Sequence, residues 1–186
     1  MPREAAPIVK DDLSLRPGPP LQPLGVGTSQ EWLYPLALTL EELFSGMHCR
    51  FCIVRRMNDG QARHVLIELD IPPGCQQGTK ILCRGVGHQL PNGSLQDVAF
   101  VIDETPHARF TRFEDDLFLD LRISWTEDLR RHSKRVDVRS LDGENLCVYI
   151  DYARDKSFTG SYGIRGAGMP IRRQGEVCGR GNLIVR

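Results

Sequence analysis

The sequence predicts an all-β protein built of two tandem β-sandwich or half-barrel units with one-turn helices. Apolar and polar residues alternate with period two, turn residues bound the alternating stretches, and the whole pattern occurs twice. Leu38-Thr39-Leu40-Glu41-Glu42 returns as Ile123-Ser124-Trp125-Thr126-Glu127, and Arg84-Gly85-Val86-Gly87 returns as Arg165-Gly166-Ala167-Gly168. Asp97-Val98-Ala99-Phe100-Val101 is echoed by Asn182-Leu183-Ile184-Val185. Chance similarity does not keep order and spacing together.

Residues 1–30 carry half of the 12 prolines, including Pro17-Gly18-Pro19-Pro20, and have no periodicity. They read as a disordered, Pro-rich linker. The first β unit is expected over residues 31–105. Tyr34, Leu36, Leu38 and Leu40 alternate with Pro35, Ala37 and Thr39, and Phe51 and Ile53 alternate with Arg50 and Cys52. Val65 to Ile71 alternates again and stops at Pro72-Pro73-Gly74. Val98 to Ile102 is continuously apolar, as in a strand covered on both faces. Single helical turns are expected at Leu40–Ser45 and at Thr126–Arg131.

The second unit, residues 107–186, follows the same plan. Leu117, Leu119, Leu121 and Ile123 alternate with Phe118, Asp120 and Arg122. Val136 and Val138 precede a turn at Leu141-Asp142-Gly143. Cys147-Val148-Tyr149-Ile150 and Leu183-Ile184-Val185 are the last strands predicted.

Composition narrows the function. Hydrophobic residues make up 40% and charged residues 26%, with a formal net charge of zero. Such balance removes the simple case for nucleic acid or an anionic membrane. No apolar run approaches the ~18 residues of a membrane span. The opening Met1-Pro2-Arg3-Glu4 lacks signal-peptide layout, so the expected location is the cytosol or nucleus, with the six cysteines reduced.

Each candidate for chemistry meets a plainer reading. Cys49 and Cys52 point to opposite faces of a strand, so they do not converge on a metal. His48 and Cys49 alternate faces too, which sets up no catalytic thiol–imidazole pair. Asp115-Asp116 reads as a solvated turn entering the strand at Leu117. Arg130-Arg131-His132-Ser133-Lys134-Arg135 is flanked by Glu127, Asp128 and Asp137, as on a solvated edge. The glycine clusters precede no helix and so form no phosphate loop. No catalytic residue, metal or cofactor is expected.

Leu38-Thr39-Leu40-Glu41-Glu42-Leu43-Phe44-Ser45-Gly46 resembles the opening of the carboxy-terminal substrate-binding region of J-domain co-chaperones, the DnaJ family. Further matching motifs follow in the family's order: Pro73-Gly74-Cys75-Gln76-Gln77-Gly78-Thr79-Lys80-Ile81, Phe100-Val101-Ile102, His107-Ala108-Arg109-Phe110, Asp116-Leu117 and Leu141-Asp142-Gly143. Gly166-Ala167-Gly168-Met169-Pro170 and Arg180-Gly181-Asn182-Leu183-Ile184-Val185 complete the set. The likeness is to the type II branch, because the Cys-x-x-Cys-x-Gly-x-Gly motifs of an inserted zinc domain do not occur.

The resemblance implies binding of unfolded or misfolded polypeptide in a shallow apolar groove of the first unit. Its lining by carry-over is Tyr34, Leu36, Phe51, Ile53 and Phe100. It also implies docking of the acidic tail of a DnaK-type ATPase chaperone. The family's lysine positions hold Cys49, Cys52 and His64, which leaves Arg50, Arg55, Arg56, Arg63 and His64 as the candidate tail contacts. No His-Pro pair of a J domain occurs, and the sequence stops at Arg186, where relatives continue into a dimerisation segment. The expectation is therefore client binding without ATPase stimulation or the usual dimer. The alternative is a tandem β scaffold that binds one specific protein partner.

Overall fold

The structure, a computed structural model, describes Ile8–Lys10 and residues 31–186. Between Thr105 and Pro106 the chain divides into two compact units. Apart from Ile8–Lys10, the linker expected over residues 1–30 lies outside the described residues.

The first unit contains β1 (Ile8–Lys10), β2 (Glu31–Leu38), α1 (Leu40–Ser45), β3 (Met47–Arg56), β4 (Ala62–Ile71), β5 (Lys80–Cys83) and β6 (Asp97–Glu104). They form two three-stranded sheets, ordered β1-β3-β4 and β2-β6-β5. Period two decides what each sheet buries. Leu36, Leu38, Phe100 and Ile102 come from one sheet, and Met47, Cys49, Ile53, Ile67, Leu69 and Ile71 from the other; all are buried. The central strand β6 is buried at Val98, Ala99, Phe100 and Ile102, which explains its unbroken apolar sequence.

Helix α1 is only one turn long, so its ends matter more than its propensity. The Thr39 hydroxyl accepts from Glu42 N (3.3 Å) and the Glu42 carboxylate accepts from Thr39 N (2.9 Å), a reciprocal cap. Gly46 then turns the chain into β3 at φ 73°, where a Cβ would lie 2.7 Å from the Pro73 ring. The cap and this glycine set where β3 begins.

The second unit holds β7 (Phe110–Phe113), β8 (Asp116–Leu119), α2 (Glu127–Arg131), β9 (Lys134–Arg139), β10 (Asn145–Ile150), α3 (Tyr152–Asp155), β11 (Tyr162–Arg173) and β12 (Glu176–Val185). Its four-stranded sheet runs β11-β12-β8-β7, with β9 and β10 as a separate hairpin. The repeat is topological. In the first unit Phe100 lies between Tyr34 on a parallel neighbour and Ile81 on an antiparallel one. In the second unit Leu183 lies between Leu117 and Ile164 in the same way.

The repeated residues are not all equivalent, however. Thr39 corresponds to Thr126, whose hydroxyl accepts from Leu129 N, and not to Ser124. The helix starts at the hydroxyl that faces the third helical amide, a choice that apolar spacing does not reveal. Strand β8 also stops at Leu119, short of the predicted alternation through Ile123. One further step of ladder remains: Arg186 N donates to Leu119 O and Leu121 N donates to Arg186 O.

Candidate functional site

The two sheets of the first unit approach each other at three aromatic rings. Phe51 lies 5.0 Å from Phe100 and 6.2 Å from Tyr34, and Tyr34 lies 5.5 Å from Phe100, measured between ring centroids. Phe100 is 1% exposed, Ile53 8% and Leu36 9%, so these three belong to the closed floor. Tyr34 and Phe51 are half-buried and hold the part of the cluster that meets solvent. Of the five residues named by resemblance, the structure brings Tyr34, Phe51 and Phe100 together and seals three of the five away from solvent. Alternation puts Tyr34 with Leu36 and Phe51 with Ile53 on shared faces; within each pair the residue further along its strand is the buried one.

Main-chain groups flank this cluster. Strand β2 is the edge of its sheet, and β3 is paired on one side by β4 over its whole length. On its other side β3 meets only β1, in parallel, with Ile8 opposite Met47, Val9 opposite His48 and Lys10 opposite Cys49. The far end is closed by a loop, where Gln89 N donates to Arg56 O and Arg56 N donates to His88 Nδ1. No strand of the described residues pairs with this edge between Arg50 and Arg55. A short accepting edge thus runs past Phe51 and Ile53.

Strand β1 lies within the stretch where a linker is expected. An Ile-Val-Lys triplet inside a Pro-rich stretch carries too little periodicity to register as a strand. It becomes one because β3 offers unsatisfied N–H and C=O groups beside it.

The loop end has its own electrostatics. His88 stacks on Trp32 with centroids 4.7 Å apart. Burial first, and the Arg56 charge second, lower the His88 pKa from 6.5, so the ring stays a neutral acceptor for Arg56 N. Neither residue stands out in the sequence, because their partnership joins the start of β2 to the end of β3.

The five cationic candidates divide between the faces of the β3–β4 hairpin. Arg50, Arg56 and His64 lie on the outer face, where Arg50 pairs with Glu68 at 3.1 Å. Arg55 and Arg63 stand directly opposite each other on the face that carries Phe51 and Ile53. The structure does not assemble all five into one patch.

The outer face also holds Cys52 Sγ 3.6 Å from His64 Nδ1, a thiol–imidazole contact that inspection of sequence neighbours misses. Cross-strand register creates it: Cys52 opposes Leu66 and Val54 opposes His64, which leaves the two diagonal. Cys49 lies on the other face, buried, with its thiol toward Leu69 O at 3.8 Å. All six cysteines are free thiols.

Asp116 overturns the solvated-turn reading of Asp115-Asp116. Its carboxylate accepts from Asn182 N at 2.6 Å and from Asn182 Nδ2 at 3.1 Å, and Asp115 O accepts from Met169 N. Both residues tie β8 to the β11–β12 hairpin. Part of the basic stretch is paired locally: Arg130 with Glu127, Arg135 with Asp137, and His132 Nδ1 with an Asp128 carboxylate oxygen at 3.1 Å. A pocket of about 450 Å³ in the second unit is lined by His107, Arg109, Leu119, Asp137 and Arg139 among others. Among the described residues no helix is long and apolar enough to cross a membrane, and no cluster has metal-binding composition.

Comparison with known proteins places this geometry in a family context. The family model described as the DnaJ C terminal domain matches residues 33–186. The chain is 34% identical over 155 residues to Protein psi1 of Schizosaccharomyces pombe, covering 81% of this chain and 39% of that protein. It is 34% identical over 152 residues to Protein SIS1 of Saccharomyces cerevisiae, covering 81% and 42%. With human DnaJ homolog subfamily B member 13 it shares 34% over 156 residues, covering 81% and 47%. The chain therefore spans less than half the length of each of these relatives.

Proposed function

This chain belongs to the DnaJ C-terminal domain family, and from that premise we propose that it binds unfolded, apolar polypeptide in extended form along the free edge of β3. The observation that carries the reading is the pair of half-buried rings, Tyr34 and Phe51, set over a buried floor where the edge of β2 meets the stretch of β3 between Arg50 and Arg55 that no strand of the described residues pairs. A client strand would exchange main-chain hydrogen bonds with β3 and seat alternate side chains against the rings.

The energetics suit transient holding. Each apolar anchor contributes about 1.5–3 kcal/mol, against which the client's ordering entropy is set. Binding of that strength is fast to reverse, which suits a protein that holds a chain and passes it on. The six free thiols fit a reducing compartment such as the cytosol.

Docking of the acidic tail of a DnaK-type ATPase chaperone falls, on this reading, to Arg55 and Arg63. Two like charges directly opposite each other across a strand pair repel until an anion joins them. Partnership with a DnaK-type ATPase chaperone, and loss of the usual family dimer, are likewise proposals for this protein.

The test is suppression of aggregation of several unrelated denatured proteins by the intact chain and by a Tyr34→Ser/Phe51→Ser variant. Both side chains are half-exposed, so the variant keeps its core. Lost suppression with an unchanged circular dichroism spectrum is expected. Undiminished suppression removes the groove from the reading, and activity toward one folded partner alone favours a scaffold.

A further inference from the structure

We propose that the groove has a resident occupant, the chain's own Ile8–Lys10, which a client must displace. The inference rests on the reading that clients add to the edge of β3. Strand β1 lies on that same edge, parallel to β3, over Met47–Cys49. The loop at Gln89 closes the opposite end at Arg56. What remains is the stretch between Arg50 and Arg55, beside which no strand of the described residues lies.

Length makes the competition unavoidable. An extended segment advances about 3.3 Å per residue, so the open stretch holds roughly six residues of a parallel or antiparallel client. A client centred on Phe51 has only a residue or so of room before it meets Lys10, which stands opposite Cys49. Any longer client therefore either shifts away from Phe51 or takes over the hydrogen bonds that β1 uses.

Covalent attachment strengthens the small occupant. Three residues of strand are a weak ligand when free. As part of the same chain they compete at roughly millimolar effective concentration. If β1 is docked in about 75–90% of molecules, the apparent client affinity is reduced about four- to tenfold.

The experiment compares the full chain with a Val9→Pro/Lys10→Pro variant. Successive residues of a strand present their N–H groups to opposite sides, so two adjacent prolines remove whichever one donates to β3. The first readout is amide hydrogen exchange at residues 47–49, where protection is expected to fall in the variant. Unchanged protection overturns the docking of β1. Protection that rises with protein concentration assigns the strand to a second copy and overturns the intramolecular contact.

The second readout is binding of a fluorescent heptapeptide that alternates leucine with serine. The variant is expected to bind four- to tenfold more tightly. Equal, measurable affinities overturn the competition while leaving the client-binding reading intact. If neither chain binds the peptide, client binding itself fails and the competition fails with it, while the exchange data still decide whether β1 is docked.

Discussion

Asp142 and Arg180 meet at 2.6 Å, joining the turn between β9 and β10 to strand β12. Leu141-Asp142-Gly143 and Arg180-Gly181-Asn182 are separate motifs in the sequence, and here they are two halves of one contact. Arg180 Nε also donates to Gly168 O, so a single guanidinium links hairpin, bulge and strand.

This pair gives the second unit an acid-sensitive fastening. Burial alone would raise the Asp142 pKa, but the hydrogen bonds from Glu144 N and Arg180, together with the Arg180 charge, outweigh it and hold the value below 3.8. The unfolded chain thus takes up the proton more readily than the folded one. The pair's contribution is complete above the unfolded-state pKa and drains away as pH falls through the folded value. Asp142→Asn is expected to lower stability by about 1–2 kcal/mol at neutral pH. In urea melts this difference from the parent should shrink toward pH 3.

Gly168 tests the close backbone approach behind the repeated Arg-Gly-x-Gly motif. A Cβ there would lie 2.6 Å from Asp115 O and 2.7 Å from Asn182 N, both backbone atoms with no freedom to give. Gly168→Ala should cost about 3 kcal/mol or more. Gly163, in the same strand, has open space around its Cβ position, so Gly163→Ala should stay within about 0.5 kcal/mol of the parent in the same melts.

The groove residues should separate binding from folding. Phe51→Ser is expected to weaken peptide binding about tenfold to a hundredfold with the thermal midpoint little changed, because the ring is half-exposed. Phe100 is 1% exposed, and Phe100→Ala should lower stability by about 3–5 kcal/mol. Fluorescence titration and calorimetry on both variants check this. Equal loss of folding in the two would place Phe51 in the core.

Protonation of His88 should loosen the loop end of the groove. Its folded pKa lies below 6.5, so the unfolded state binds the proton first as pH falls, and the contribution of the neutral ring is lost below that value. In a Trp125→Phe background, Trp32 fluorescence reports the stack. A quench with a midpoint below 6.5, absent in His88→Gln, is the expected result.

Thiol labelling should follow burial. Cys178 is exposed, whereas Cys49 and Cys75 are 4% exposed, so disulfide-exchange reagents should modify Cys178 first and the buried pair only on unfolding. Fast modification of Cys52 would mean that His64 activates it, which mass spectrometry of the labelled peptides would reveal.

Local chemistry determined much of this protein from sequence alone. Alternation located β2, β3, β4 and β9, and unbroken apolar runs located β6 and β10; a one-turn helix is expected where α1 stands; and Gly74 sits at φ 80°, as the turn after Ile71 requires. These features depend on neighbours along the chain, which a sequence displays. Tertiary structure decided the rest. It made Thr126, not Ser124, the counterpart of Thr39, turned Asp116 into a clamp for Asn182, set Cys52 beside His64, and split the arginines between two faces. It also laid Ile8–Lys10 along β3. In each case the deciding partner is brought close by strand register or sheet packing, and one-dimensional spacing carries no record of which edge is left unpaired or which face a distant residue will meet.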